Sequence, residues 1–309
     1  MKSLLAGLAI VTCAVAVLSV GGAAGCASGS VAAECRTGAD CASGACGTDG
    51  KCTDAPAPTD SGTTSESSST TDALTGCTGN GDGTITASEL PLAAGLHATF
   101  RVAASVTVDT TGQTDSTGHR TWDLSAPLNG DKDVGVVTFP VAPQWFGSSF
   151  SGASYASALS PATTNLLGVF DVGAASVTLR GVASPTSGST QTLLTYTTPP
   201  RVLILPLSAT STWTDTSALS GTTSGIASYV TDAYTSSVDA HGTLKTPYGA
   251  FEVLRVSTVL TRTTGVVPTI TRTFAFVAEC FGTVATITSN ADETATEFTS
   301  AASVERIAP

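Results

Sequence analysis

Charged side chains are scarce in this chain of 309 residues, and the basic ones are the rarer kind. Asp, Glu, Lys and Arg together make up 12% of the sequence, with 13 Lys and Arg against 24 Asp and Glu. The formal net charge of -11 at pH 7 repels a phosphate backbone, so nucleic acid is not an expected partner. The acidic residues form no long run, and the simplest interpretation of their excess is solubility.

Motifs for catalysis and metal binding are also few. The three histidines, His97, His119 and His241, have no partner at i, i+4 and no HExxH pattern, which argues against a metallohydrolase. There is no G-x-S-x-G sequence and no glycine-rich phosphate loop, so the pattern of a nucleophile-elbow hydrolase is missing as well. The sequence therefore favours a protein without enzymatic activity and leaves the question open.

Two features keep a polysaccharide-active hydrolase among the alternatives. Carboxylates from distant strands can meet, as glycosidases require, and the candidates are Asp123, Asp131, Asp133, Asp171 and Glu252. Tryptophans can line a carbohydrate groove, although core packing is their commoner fate in a β domain; the three are Trp122, Trp145 and Trp213.

Long amphipathic helix patterns are absent from residues 91–309, where short β-like runs alternate with Gly, Pro, Asn, Asp and Ser clusters. This spacing predicts an antiparallel β-sandwich or an open, curved barrel. The clearest runs are 99–108, 134–139, 175–182, 192–196, 202–207, 251–260, 271–278 and 283–288. Residues 216–234 are the one place where a short helix is considered.

Turn residues predict two hairpins in this region. Asn129-Gly130-Asp131 favours a turn between residues 122–124 and 134–139, because such residues tolerate positive φ. Gly265 and Pro268 favour a second turn between residues 251–262 and 271–276, with Phe274 and Phe276 in the core. The stretch 242–256 resembles a hairpin of exported bacterial β domains, which carries fold information only.

The amino terminus has the architecture of a signal peptide. Lys2 precedes an uncharged stretch from Leu4 to Val20, and Gly21-Gly22-Ala23-Ala24-Gly25-Cys26 follows. These residues resemble a bacterial lipobox, with Ala23 where that family usually carries Leu. The resemblance implies acylation of Cys26, stable anchoring by two or more acyl chains, and outer-membrane sorting, since Ala27 is not Asp. Plain secretion and an uncleaved anchor are the alternatives.

The cysteine count agrees with an oxidising compartment. Cys13 leaves with a cleaved leader and Cys26 takes lipid, so six of the eight cysteines remain for disulfides, which are Cys35, Cys41, Cys46, Cys52, Cys77 and Cys280. The first four lie in a segment with almost nothing to bury, so two disulfides of unassigned connectivity are expected there. Zinc is disfavoured because C-x2-C pairs are missing. Cys77 and Cys280 form the remaining pair.

Residues 26–52 thus hold the lipidation site and a cysteine-rich segment, whose Asp-Cys-x-Ser-Gly-x-Cys pattern resembles short modules near the start of secreted bacterial proteins. Residues 53–74 are rich in Pro, Ser, Thr and Asp, and this composition predicts a disordered spacer. Residues 75–90 and the β domain, 91–309, follow.

The segment 78–89 resembles the calcium loop of an EF-hand. The candidate ligands are Thr78, Asn80, Asp82, Thr84 and Glu89 at loop positions 1, 3, 5, 7 and 12. Gly83 occupies the sharp-turn position and Ile85 occupies position 8. Thr78 replaces the usual Asp, and no paired loop is present, so the resemblance implies weak Ca²⁺ binding in the millimolar range of extracellular modules. A turn without metal is the alternative.

The combined expectation is a lipid-anchored cell-envelope protein at the outer membrane, whose β domain has a structural or binding role. Its expected partners are the membrane, reached through the lipid anchor, and an envelope protein or a carbohydrate. The alternatives are the hydrolase and a periplasmic or outer-membrane carrier that holds an apolar ligand on a curved sheet.

Overall fold

A computed structural model describes residues 77–309, and these residues form an almost entirely β structure. The first eight strands are β1 (Thr84–Ile85), β2 (His97–Thr107), β3 (Gln113–Thr114), β4 (Arg120–Asp123), β5 (Lys132–Val137), β6 (Tyr155–Ser160), β7 (Thr163–Val172) and β8 (Ser176–Ala183). The remaining nine are β9 (Leu193–Tyr196), β10 (Arg201–Ile204), β11 (Leu207–Ser208), β12 (Thr212–Thr223), β13 (Ile226–Lys245), β14 (Ala250–Thr264), β15 (Val267–Ala278), β16 (Gly282–Ser289) and β17 (Ser300–Ala308).

Two short 3₁₀ helices, Ala87–Glu89 and Gly147–Phe150, are the only helical segments among residues 77–309. Fifteen strands form one large sheet, whose main path runs β5-β2-β17-β16-β15-β14-β13-β12-β9-β8-β7-β6. Every pairing is antiparallel except that of β4 with β13. Phe139 and Ala156 form a bridge between the two ends of this path, so the sheet is a nearly closed barrel. The predicted antiparallel β class, with its open or curved barrel, is confirmed.

The long strands bury both of their faces. On β14 and β15, Leu254 and Val277 pack in one hydrophobic cluster, whereas Val253 and Phe276 pack in a second cluster on the other face. A third, smaller cluster surrounds Phe146 and covers β7. Burial on two faces explains why these strands read as continuous apolar runs and not as alternating ones.

Two predictions about this region are confirmed. Phe274 and Phe276 are 1% and 0% exposed, as expected for core residues. The hairpin at Gly265 is present, since Thr264 of β14 pairs with Val267 of β15.

Two other predictions are wrong. Residues 216–234 form no helix but the middle of the β12–β13 hairpin, whose strands pair from Thr212 with Ser237 to Thr223 with Ile226. The turn at Gly130 exists, with φ of 77°, but it does not join a hairpin. β4 pairs with β3 and β13, whereas β5 pairs with β2.

Candidate functional site

A disulfide joins Cys77 to Cys280 and positions the candidate loop. The sulfur atoms are bonded across a sequence separation of 203 residues, and the backbone N–H of Cys280 donates to the carbonyl of Glu89 at 2.8 Å. The start and the end of the loop are therefore both held at the turn between β15 and β16. This disulfide confirms the pairing proposed for the two cysteines outside the first cluster.

The first half of the loop forms the tight turns that its Asn, Asp and Gly residues predict. Asn80 Oδ1 accepts the backbone N–H of Asp82 at 2.9 Å, and Asp82 Oδ1 accepts that of Thr84 at 2.8 Å. Asp82 Oδ2 accepts a hydrogen bond from Asn80 Nδ2 at 3.0 Å. Gly83 has φ of 77°, which glycine adopts without steric cost. Asn80 and Asp82 are thus brought together on an exposed turn.

The second half of the loop is built into the β domain. Thr84 and Ile85 form β1 and pair with Ser208 and Leu207 of β11, and the side chains of Ile85 and Leu207 are buried. In a paired EF-hand, a second loop would lie beside position 8. Here a strand of the β domain takes that place.

Glu89 is turned toward its own 3₁₀ helix. Its Oε2 atom accepts hydrogen bonds from the backbone N–H of Thr86 at 2.9 Å and from Thr86 Oγ1 at 2.7 Å, which forms a capping box. Glu89 is 6% exposed, while Thr78 lies exposed at the other end of the loop. The five candidate ligands therefore do not form a single shell. Among residues 77–309, no group of three or more His, Cys, Asp or Glu side chains has an arrangement that could hold a metal ion.

Sequence reasoning missed Glu279 at this loop. Glu279 Oε2 accepts the backbone N–H of Gly81 at 3.0 Å, and a Cβ added to Gly79 would lie 2.6 Å from the same oxygen. A carboxylate from the β15–β16 turn therefore lies over the start of the loop, where Thr78 supplies none. The signal was available, because Glu279 precedes Cys280 and the proposed disulfide brings that turn to the loop.

A second cluster missed from the sequence lies buried between β9, β13 and β14. Arg262 donates through Nε and Nη2 to both carboxylate oxygens of Asp232, which is 0% exposed. The hydroxyls of Tyr196 and Tyr234 also donate to Asp232 Oδ2, at 2.7 and 3.2 Å. Burial is the main cause that raises the pKa of both tyrosines well above the usual value. Both phenols therefore stay protonated and act as donors.

A third cluster surrounds Arg255, whose side chain is 1% exposed. Its guanidinium bonds the carboxylates of Asp239 and Glu297, and its Cζ atom lies 4.2 Å from the ring centroid of Phe274. Trp122 packs on the same guanidinium at 5.3 Å. The charge is fully paired, which indicates a structural role.

The five candidate carboxylates are bonded to separate partners. Asp131 binds Arg306, Asp133 binds Arg101 and Asp171 binds Arg180; Asp123 accepts from Ser125, and Glu252 accepts from Thr243. Each of the five is thus engaged by a polar partner, and only Asp131 and Asp133 act on the same two arginines, Arg101 and Arg306. Trp122 and Trp213 are buried, with 1% and 4% exposure, so they pack in the core and line no groove. Trp145 is partly buried and donates to the carbonyl of Ser184.

His119 and His241 immediately precede Arg120 and Gly242, which pair in the parallel β4–β13 ladder. His119 Nε2 is 3.4 Å from Glu252 Oε2 and 3.4 Å from Thr243 Oγ1, with a side chain that is 37% exposed. His97 and His241 are exposed.

The cysteine-rich segment, Cys26 with Cys35, Cys41, Cys46 and Cys52, lies outside the described residues, as do the leader and the spacer. None of the helices within residues 77–309 has the length and apolar character needed to cross a membrane. Comparison of the chain with protein families, with curated proteins and with solved structures finds no match.

Proposed function

We propose that the chain is an exported, lipid-anchored protein of the cell envelope, whose β domain has a structural or binding role. The observation that carries the proposal is the Cys77–Cys280 disulfide, because such bonds persist in oxidising compartments and are rare in the cytosol. It agrees with a leader that ends at a lipobox-like Cys26 and with an even number of remaining cysteines.

The packed interior favours this role over that of an apolar-ligand carrier. The hydrophobic cluster that contains Leu254 and Val277 is filled by side chains of β8, β12, β13 and β14. Among them are Leu179, Leu219, Val230 and Val256, each at most 4% exposed. The buried Asp232–Arg262 pair with its two tyrosines occupies the same side of β13. An apolar carrier needs a greasy concave face, whereas these positions are already packed or polar.

The test of anchoring is labelling of the whole chain with radioactive palmitate in a bacterial host. We expect label in the wild-type protein and in a Cys13→Ala variant, which loses a leader cysteine only. The Cys26→Ala variant should carry no label and should leave the envelope fraction. Label that persists in Cys26→Ala, or an uncleaved cytosolic chain with reduced thiols, would refute the proposal.

Weak Ca²⁺ binding at the loop is a second candidate property. The observation that favours it is Glu279, whose carboxylate lies beside Gly81 and adds an acidic oxygen near Asn80 and Asp82. Ca²⁺ prefers six to eight oxygen ligands, and Asn80, Asp82, Glu279 and the Thr84 carbonyl would be the groups that hold it. Glu89 would have to exchange its bonds to Thr86 for the ion.

Calorimetric titration of the oxidised mature chain tests this candidate. We expect a dissociation constant of about 10⁻⁴ to 10⁻³ M, with a rise in Tm at saturating Ca²⁺. Glu279→Gln and Asp82→Asn should abolish both effects, whereas Glu252→Gln, which changes a 76% exposed side chain elsewhere, should preserve them. If Ca²⁺ at several times the upper limit of this dissociation constant gives no heat and no change in Tm, the loop does not bind Ca²⁺.

A further inference from the structure

One end of the sheet carries an unusual concentration of exposed apolar side chains. Four of the five large hydrophobic residues that are exposed within 77–309 lie there: Ile226 at 72%, Tyr229 at 65%, Val266 at 92% and Val267 at 63%. Ile226 and Tyr229 lie at the start of β13, just after the β12–β13 turn, Val266 lies in the β14–β15 turn, and Val267 begins β15. We call this surface the apolar end.

The register of the strands places the two turns side by side. Thr231 of β13 pairs with Thr263 of β14. Two residues further along the same ladder, Tyr229 therefore lies next to Gly265, and Val266 and Val267 follow along the chain. Tyr229 thus lies between the two turns in the sheet, and the four residues lie at the same end of it.

The strands and turns of the apolar end carry no charged residue of their own, and one carboxylate borders them: Asp292 Oδ1 accepts the backbone N–H of Ile270 at 2.9 Å. No Asp, Glu, Lys, Arg or His occurs in residues 181–200, 216–231 or 263–271, which form the two turns and the β8–β9 connection beside them. The whole chain nevertheless has a formal net charge of -11. Apart from Asp292 at its border, the apolar end is thus built from uncharged segments, which suits contact with an uncharged interface.

The β12–β13 turn is held firmly against its neighbour. The backbone N–H of Gly225 donates to the carbonyl of Gln191 at 3.0 Å, and that of Ser224 donates to Thr192 Oγ1 at 3.1 Å. A Cβ on Gly225, whose φ is 78°, would lie 2.2 Å from the carbonyl oxygen of Ser189. Ile226 is therefore presented by a fixed turn, and ordering it on contact costs little.

We propose that the apolar end docks on the surface of a lipid bilayer, with the aliphatic side chains among the acyl chains and Tyr229 at the headgroup level. Tyrosine favours membrane interfaces, because its ring is apolar and its hydroxyl can stay hydrated. The inference rests on the proposed envelope location, since acylation of Cys26 would keep the domain beside a bilayer at high local concentration.

The length of the chain permits this contact on the anchoring membrane. Cys280 lies at the far end of β15 from Val267, about 40 Å away for a strand of this length. Fifty residues separate Cys26 from Cys77, and the 24 residues 53–76 alone can span about 80 Å when extended. The anchor and the apolar end can therefore contact one bilayer at the same time.

Co-sedimentation with zwitterionic phosphatidylcholine vesicles tests the inference. The protein is the oxidised mature chain with Cys26→Ser, which carries no acyl chain, so any binding comes from the protein surface. We expect salt-insensitive binding that falls roughly tenfold in the double variant Ile226→Ser, Val266→Ser. Val137→Ser is the matched control, because Val137 is 49% exposed and lies at the Cys280 end of the sheet, and it should bind like the parent protein.

The outcomes separate this inference from the proposed function. Failure of all forms to sediment with vesicles, or equal binding by the double variant, overturns it whatever the palmitate labelling shows. Self-association that the double variant abolishes, without vesicle binding, would assign the surface to a second copy of the chain and also overturn it. Unchanged Tm values in the variants show that the comparison concerns folded protein. Vesicle binding without palmitate incorporation into the wild-type chain would refute the anchor and leave the docking surface standing.

Discussion

Two arginines of the sheet form the same bidentate contact in different surroundings. Arg262 and Arg101 each donate through Nε and Nη2 to the two oxygens of a cross-strand aspartate, Asp232 and Asp133. Asp232 is fully buried, whereas the side chain of Asp133 is 51% exposed. Comparing the two sites therefore shows how burial changes the contribution of the same Arg–Asp contact to the free energy of unfolding.

The Arg262→Met variant should therefore be far less stable than Arg101→Met. Removing Arg262 leaves the buried Asp232 carboxylate without its cation, which typically costs about 3 to 5 kcal/mol. Loss of an exposed ion pair costs about 0 to 1 kcal/mol. Urea denaturation of both variants gives the two free energies of unfolding. Equal losses would show that the buried network, including Tyr196 and Tyr234, does not need the guanidinium.

Glu305 is a buried carboxyl group whose ionisation opposes folding. It is 2% exposed and accepts a hydrogen bond from Ser160 Oγ at 2.6 Å, and burial raises its pKa from 4.5 to about 8. Below the unfolded-state pKa both states are protonated, so the contribution to stability is fully present. Between about pH 4.5 and 8 only the unfolded state loses its proton, so stability falls as the pH rises.

The Glu305→Gln variant should abolish that part of the pH dependence, since an amide does not ionise. Each unit of pKa difference corresponds to about 1.4 kcal/mol, so the variant should gain a few kcal/mol relative to wild type between pH 4 and pH 8. Thermal unfolding across this pH range measures the difference. Glu252→Gln, at a 76% exposed side chain, should follow the wild-type curve. A constant difference between Glu305→Gln and wild type would contradict the mechanism.

At the scale of elements, the sequence predicted strands well where the apolar pattern was local. The β14–β15 hairpin and its phenylalanines were recognised because Gly265 and two apolar runs lie within thirty residues of one another. β13 was misread around Asp232, because a charged residue at an inward position breaks the apolar alternation. Its neutralising partner, Arg262, is thirty residues away, and single-sequence patterns carry no such pairing.

A single sequence also does not show which distant segments contact one another, and this explains what was missed at β4 and at the loop. Turn chemistry correctly predicted positive φ near Gly130, but it could not choose the partner strand, and β4 pairs in parallel with β13. In the loop, the turn residues and the disulfide were predicted, whereas the contact of Glu279 was not, because its carboxylate reaches the loop from the β15–β16 turn and only the disulfide connects the two in sequence. Non-local contacts are what the sequence alone leaves open.

Docking of β4 depends on Gly242. A Cβ there would lie 2.0 Å from the carbonyl oxygen of Arg120, and its φ is 154°. Gly242→Ala should therefore detach β4, expose Trp122 and destabilise the domain by about 1 to 3 kcal/mol. Hydrogen exchange should speed up at the amides of residues 120–123. Gly249→Ala is the control, because no atom lies within 4 Å of its added Cβ; equal exchange in both variants would disprove the close approach.

At the scale of the whole molecule, the two ends of the long strands differ in character. The Cys280 end holds the disulfide, the acidic loop and the connection toward Cys26, whereas the β12–β13 and β14–β15 turns at the opposite end contain no charged residue and expose Ile226 and Val266. Tethering at one end leaves the other free to contact a surface. The proposed anchor and the proposed docking surface are thus separate features of one elongated set of strands.

The disulfide at the Cys280 end should control the stability of the domain as a unit. It closes a loop of about two hundred residues, and the chain-entropy model then assigns it about 5 kcal/mol. Cys280→Ser should lower the Tm substantially, because it also frees the loop that contributes Ile85 and Leu90 to the core. A reductant should lower the Tm of the wild-type chain by a similar amount. It should leave the unfolding transition of the β domain in Cys280→Ser unchanged. This comparison separates the effect of the Cys77–Cys280 bond from that of disulfides in the cysteine-rich segment. A wild-type Tm that is insensitive to complete reduction, with both thiols shown to be free, would mean that strand packing alone holds the loop in place.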